Sequence, residues 1–327
     1  MGSSTILDID KASFGAATLT VPSDDGTRIP VRYWASDNPN GGTVQIVHGL
    51  GEHCARYARL AAALDAAGYH VFAHDHRGHG EAIAAGTEGY FADAAGWDRV
   101  IDDVFAVRRN IDVELGRPTP TVLLGHSMGS YIAQATMLRS AAPWHALALS
   151  GSNFGQPVLL TIASWIARFE RWRLGADKPS KLLTSLSFGN FNKKFDPVRT
   201  PFDWLSRDEA EVDRYIADDW CGFDATTGLW VDFLGGLRAL SRVKALSALP
   251  ADLPIYVFGG SDDPVSATDR LPILAEAYRS AGSKNVQLKV YPEARHEVFN
   301  ETNRDEVTGE LISWLAKIPG FPPSSTP

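Results

Sequence analysis

The chain has 327 residues, 44% of them hydrophobic and 21% charged, with no run near the roughly 18 uninterrupted apolar residues of a membrane span; this excludes disorder and stable membrane insertion. Thirty-nine acidic against 31 basic side chains leave a net charge of −8, which argues against nucleic acid as a partner. Two cysteines, Cys54 and Cys221, cannot build a disulfide framework, and Met1-Gly2-Ser3-Ser4-Thr5 lacks the basic and apolar regions of a signal peptide, so a cytoplasmic location is expected.

Thr18–Val21 and Ile29–Trp34 have no helix between them and read as an antiparallel hairpin. Short, β-branched apolar runs then alternate with helical patterns. The run Thr43–Val47 stops at His48-Gly49 and is followed by a helix over Tyr57–Ala67. His70–His74 stops at Asp75, ahead of a helix over Trp97–Leu115. Thr121–Leu124 stops at Gly125-His126-Ser127, with a helix over Met128–Ala141, and Ala146–Leu149 stops at Ser150-Gly151. Beyond a gap come Pro254–Phe258, a helix over Asp269–Ala281, Val286–Val290 and a helix over Asp305–Lys317. Runs that are apolar nearly throughout mark strands buried on both faces, and their alternation with helices predicts βαβ units and a parallel sheet.

The gap, between Gly151 and Leu253, is about a hundred residues without a clear strand. It holds five of the nine tryptophans and seven phenylalanines between Phe154 and Phe223. It reads as a helical subdomain with its own small core, or as a cap that turns some rings onto a pocket for an apolar ligand; both can hold together. The tail from Pro319 to Pro327 cannot continue a helix and is expected to be disordered.

Gly125-His126-Ser127-Met128-Gly129 fits G-x-S-x-G and falls between a strand and a helix. There a strained turn can lift a serine hydroxyl above the sheet edge, with the helix N-terminus aimed at any negative charge that forms. A serine needs a base oriented by an acid, and in such a sheet these follow it in the order acid, then histidine. Of nine histidines, His296 alone lies beyond the later strands. The loop Gly259-Gly260-Ser261-Asp262-Asp263-Pro264-Val265 offers two adjacent acids, and spacing leaves Asp262 and Asp263 both open. In His48-Gly49-Leu50-Gly51-Glu52-His53 the glycines let the backbone approach a substrate, so that one N–H can join the N–H of Met128 in an oxyanion hole.

Together with Asp75-His76-Arg77-Gly78-His79-Gly80 and His296-Glu297-Val298-Phe299-Asn300-Glu301, these motifs resemble the α/β-hydrolase superfamily, and within it the monoacylglycerol lipase, lysophospholipase and serine aminopeptidase-like group. They span roughly residues 43 to 301, with the aromatic-rich gap unmatched. The resemblance implies an α/β fold: a mostly parallel eight-stranded sheet, helices on both faces and an inserted helical cap. The core is expected over 1–151 and 246–318, the cap over 152–245 and the tail over 319–327. It selects Asp263 as the acid and Leu50 with Met128 as the oxyanion donors. One departure is Glu81, where the family usually has a small residue after Gly-His-Gly.

The expected chemistry is a serine hydrolase cleaving carboxylic esters through an acyl-enzyme, with Ser127, Asp263 and His296 as its triad and neither metal nor organic cofactor. Lipid-like esters such as monoacylglycerols or lysophospholipids are the leading substrates. An aminopeptidase-like activity is the alternative and would need acids in the cap to hold a free amino group. Asp208, Glu209, Glu211, Asp213, Asp218 and Asp219 are present but read as a solvated helix face. A non-catalytic ligand binder is the third reading. The run His74 to His79 resembles the H-x-H-x-D-H zinc motif, but Gly78 stands where its aspartate belongs, so hydrogen-bonding histidines are expected there. Cys54 reads as a buried small side chain.

Overall fold

The computed structural model describes residues 16–37 and 42–321. Met1–Thr5 and the last six residues of the expected tail lie outside that range. Eight strands form one sheet in the order β1-β2-β4-β3-β5-β6-β7-β8. They are β1 (Ala17–Pro22), β2 (Arg28–Trp34), β3 (Thr43–Val47), β4 (His70–His74), β5 (Thr121–His126), β6 (Ala146–Ser150), β7 (Ile255–Gly260) and β8 (Val286–Tyr291). The first two pair antiparallel, β2 runs antiparallel to β4, and β3 to β8 are parallel throughout.

Alternation along the central strands decides which face each side chain serves. Leu123, Leu147 and Val257 join one core, with Val100 of α2 (Gly96–Glu114), Ile132 of α3 (Met128–Arg139) and Leu274 of α9 (Ala267–Ser280). Their neighbours Val122, Leu124, Tyr256 and Phe258 point the other way, onto α1 (Ala58–Ala66) and α10 (Arg304–Leu315). With helices on both faces, β3 to β7 are buried at every position, which is why their sequences are apolar nearly throughout.

Between β6 and β7 the chain makes five helices: α4 (Pro157–Leu174), α5 (Lys181–Phe188), α6 (Glu209–Ala217), α7 (Thr227–Leu240) and α8 (Val243–Leu246). Their starts are set locally. Pro157 opens α4, and the side chains of Ser180, Asp208 and Thr226 accept the N–H groups of Leu183, Ala210 and Leu229. Helix α7 packs on α4, α2 and α3, which ties the insertion to the sheet. At the C-terminus, Phe321 is fully buried beside Tyr69, so the expected tail does not begin at 319: an aromatic side chain with a place in the core holds the backbone down to that point.

Candidate active site

Ser127 follows β5 and precedes α3 with φ 50° and ψ −124°, a left-handed backbone that costs a non-glycine residue about 1–3 kcal/mol and persists only where the surroundings enforce it. The flanking glycines permit that turn. A Cβ at Gly129 would stand 2.0 Å from the Val47 carbonyl oxygen, and one at Gly125 would stand 2.4 Å from that of Gly129. The Ser127 N–H donates to Ser150 O at 3.0 Å, which pins the turn to β6. Met128 is the first residue of α3, where backbone N–H groups have no intrahelical acceptor and the dipole is positive.

His296 lies on the loop after β8, and its Nδ1 meets Asp263 Oδ1, from the loop after β7, at 3.0 Å. Both side chains are buried. Asp263 also accepts the Val265 N–H at 2.8 Å and the Ser266 hydroxyl at 2.7 Å. Burial raises the carboxyl's pKa, but the imidazole and these donors outweigh it and the net shift is downward. Burial likewise works against charge on His296, and Asp263 overcomes it to raise the imidazole. Asp262 instead turns outward and pairs with Lys194 at 2.7 Å, so the structure separates the two acids that spacing left open. His126 stacks obliquely on His296 and is pulled down to about 3, chiefly by burial and then by His296 itself, so it stays neutral.

In the loop after β3, the Gly49 N–H is held by Glu52 Oε1 at 2.6 Å, so that donor is occupied within the loop. Leu50, Ser127, Met128 and His296 share one cavity of about 660 Å³, within the range of small-molecule sites. Its wall is mostly apolar and drawn largely from the insertion, including Phe188, Trp204, Trp230 and Leu234. Trp204 also packs its ring on His296, and its carbonyl accepts the His296 N–H at 3.3 Å.

The histidine-rich loop serves itself. The His76 N–H donates to His48 Nε2 at 3.0 Å, which leaves His48 Nδ1 to donate to Gly49 O at 2.8 Å. Burial lowers the pKa of His48, His74, His76 and His79. His74 departs from the expectation of hydrogen-bonded rings, since neither of its nitrogens has a partner. Among the described residues, ligand atoms of His53, Asp218 and Cys221 do gather within 4.8 Å. There His53 Nε2 and Asp218 are already hydrogen-bonded at 2.8 Å, and burial pushes the Cys221 thiol up, away from the thiolate a metal needs. Cys54 is buried, and burial pushes its thiol up as well. Glu81 makes an ion pair with Arg32 at 2.6 Å, which accommodates its size at the sheet edge.

The acids at 208–219 are not one solvated face. Glu209, Asp213 and Asp219 are exposed, but Glu211 is buried against Arg59, Asp208 caps α6 and pairs with Arg304, and Asp218 holds His53. None of the six lines the cavity. Unforeseen from sequence were Ser266, the packing of Trp204 on His296, and a buried group of Glu52, Arg56 and Glu297; for the last, the Glu52–Arg56 spacing of four was the available signal.

A family model described as serine aminopeptidase, S33 matches residues 38–303. The chain belongs to that family. This S33 hydrolase is 30% identical to a monoacylglycerol lipase of Mycolicibacterium smegmatis over 89% of its own length and 93% of the relative's. It is 31% identical to the human monoglyceride lipase over 90% and 88% of the two chains. A thermostable carboxyl esterase from Bacillus coagulans, solved in complex with glycerol, superposes with a TM-score of 0.85 at 25% identity, covering 93% of this chain and 98% of that one. A soluble variant of the yeast monoglyceride lipase shares the fold, with a TM-score of 0.69 at 21% identity and coverage of 92% and 96%. The S33 hydrolase is thus an α/β-hydrolase of the monoacylglycerol lipase-like group. None of its described helices is long and apolar enough to cross a membrane.

Proposed function

We propose that the protein is a carboxylic ester hydrolase whose nucleophile is Ser127, base His296 and orienting acid Asp263. The observation that carries this reading is their arrangement: a serine on a strained turn and a histidine held by a buried aspartate open onto one apolar cavity. Because His296 Nδ1 faces Asp263, Nε2 is left for the serine. Ser127 Oγ attacks the ester carbonyl carbon as Nε2 takes its proton. The N–H groups of Leu50 and Met128 receive the oxyanion, a role that the occupied Gly49 N–H cannot fill. The proton then passes to the leaving alcohol, and water repeats the sequence to free the acid and restore the serine.

Acyl-chain esters, monoacylglycerols first and lysophospholipids second, are the substrates that the apolar cavity and the related lipases favour. Residues 152–245 act as the cap over a core of 1–151 and 246–318, and two unpaired cysteines suit a reducing cytoplasm. A peptidase reading is less well supported, because the carboxylates that line the cavity are Glu52, Asp224 and Glu297, and Arg56 holds the first and last. Ser127→Ala should abolish hydrolysis of p-nitrophenyl acyl esters and labelling by a fluorophosphonate while leaving the circular dichroism unchanged; undiminished turnover would reject the assignment. Faster cleavage of aminoacyl-arylamides than of esters would favour the peptidase.

A further inference from the structure

The triad leaves a buried charged group without a role. Arg56 lies in the short 3-10 turn Cys54–Tyr57 and puts its guanidinium between two carboxylates from separate parts of the chain. Nη1 donates to Glu52 Oε2 at 2.9 Å and to Glu297 Oε1 at 2.6 Å, and Nη2 donates to Glu297 Oε2 at 2.7 Å. None of the three side chains is more than 10% exposed. Each carboxylate is one step from the chemistry. Glu52 Oε1 accepts the Gly49 N–H at 2.6 Å and the Tyr57 hydroxyl at 2.9 Å, which fixes the loop carrying Leu50. Glu297 directly follows His296. Tyr215 completes the group: its ring lies 4.8 Å from the guanidinium carbon and its hydroxyl donates to Gly51 O at 2.7 Å.

We propose that Arg56 is a positioning residue that sets the oxyanion loop relative to the His296 loop by gripping Glu52 and Glu297 at once. The proposal rests on the reading of Ser127 as nucleophile and His296 as base. Oxyanion donors must sit about 2.7–3.1 Å from the developing charge, and a displacement near 1 Å can cost on the order of a hundredfold in rate. Leu50 stands between two glycines, so its own backbone does little to hold that position. A planar fork that bonds two carboxylates in fixed directions supplies the constraint, which an ammonium of equal charge cannot reproduce. Arg56 touches no reacting atom; it acts through the two carboxylates.

The informative change therefore keeps the charge and removes the fork. Arg56→Lys, Glu297→Gln, their double variant and Ser127→Ala are compared with the native enzyme on a p-nitrophenyl acyl ester. For Arg56→Lys we expect a thermal midpoint close to native, KM within about twofold and kcat lower by roughly 10- to 100-fold. Glu297→Gln should lower kcat with KM likewise unmoved, and the double variant should lose little more than Arg56→Lys alone, because both break one link. A kcat for Arg56→Lys within twofold of native overturns the proposal, as does a loss carried wholly by KM or a fully additive double variant. Ser127→Ala separates the two readings. An inactive Ser127→Ala beside a native-like Arg56→Lys removes the positioning role alone, whereas an active Ser127→Ala removes the nucleophile assignment on which that role depends. Should Arg56→Lys fail to fold, Glu297→Gln carries the same test through its split between kcat and KM.

Discussion

Asp263 is enclosed, yet three donors reach it: His296 Nδ1, the Val265 N–H and the Ser266 hydroxyl. A carboxylate so satisfied stays ionised, and its charge lets His296 hold a proton to a higher pH than the ordinary 6.5 despite its burial. Since attack by the proposed nucleophile, Ser127, requires the unprotonated imidazole, kcat/KM should rise with pH through a midpoint above 6.5. In Asp263→Asn the charge that opposes burial is gone, so that midpoint should move below 6.5 while kcat falls by about 10³–10⁴-fold. A pH profile of ester hydrolysis for both proteins checks the direction. Spacing could not choose between Asp262 and Asp263 because the direction a side chain leaves a turn follows from backbone angles that the packing imposes.

Among the elements, the strands and the turn at Ser127 were legible because burial on both faces and a strand-to-helix switch leave strong local patterns. Of the insertion, the helices and the aromatic rings were legible, but not the way it docks on the core. Its helices cover a cavity and meet the core through pairs distant in sequence, such as Arg59 with Glu211, which no periodicity reveals. One such junction is sensitive to pH. Asp232 of α7 lies so close to the start of α2 that a Cβ at Gly96 would stand 2.2 Å from its Oδ2. Burial lifts this carboxyl to about 6, against the attraction of Arg171. The ionised form is the disfavoured one here. Stability from this group is therefore highest below the unfolded value of 3.8, declines as pH rises towards 6, and is level above that. Asp232→Asn should accordingly stabilise the protein at pH 8 by about 1 kcal/mol, allowing for the partial exposure of the site, and raise Tm by roughly 2 °C. Melting curves at pH 8 and pH 4 are the check, with no gain expected at pH 4.

At the scale of the whole molecule, the residues proposed for catalysis all come from the sheet's connecting loops, while most of the cavity wall comes from one insertion. The outer side of that insertion has a different character. Along α4, Val158, Ile162, Trp165, Phe169 and Trp172 recur at helical spacing, and all are exposed, Trp172 by 80%. Such a stripe on an otherwise hydrated protein is a liability for copies of the same chain in water. What opposes their meeting is long-range: a net charge of −8 on each molecule, felt over about 8 Å at physiological ionic strength and about 3 Å in 1 M salt. The chain's colloidal behaviour should follow its titration more closely than its fold. Light scattering ought to stay flat at pH 8 in dilute buffer, then climb in concentrated salt or as acid discharges the carboxylates, with the catalytic core still native.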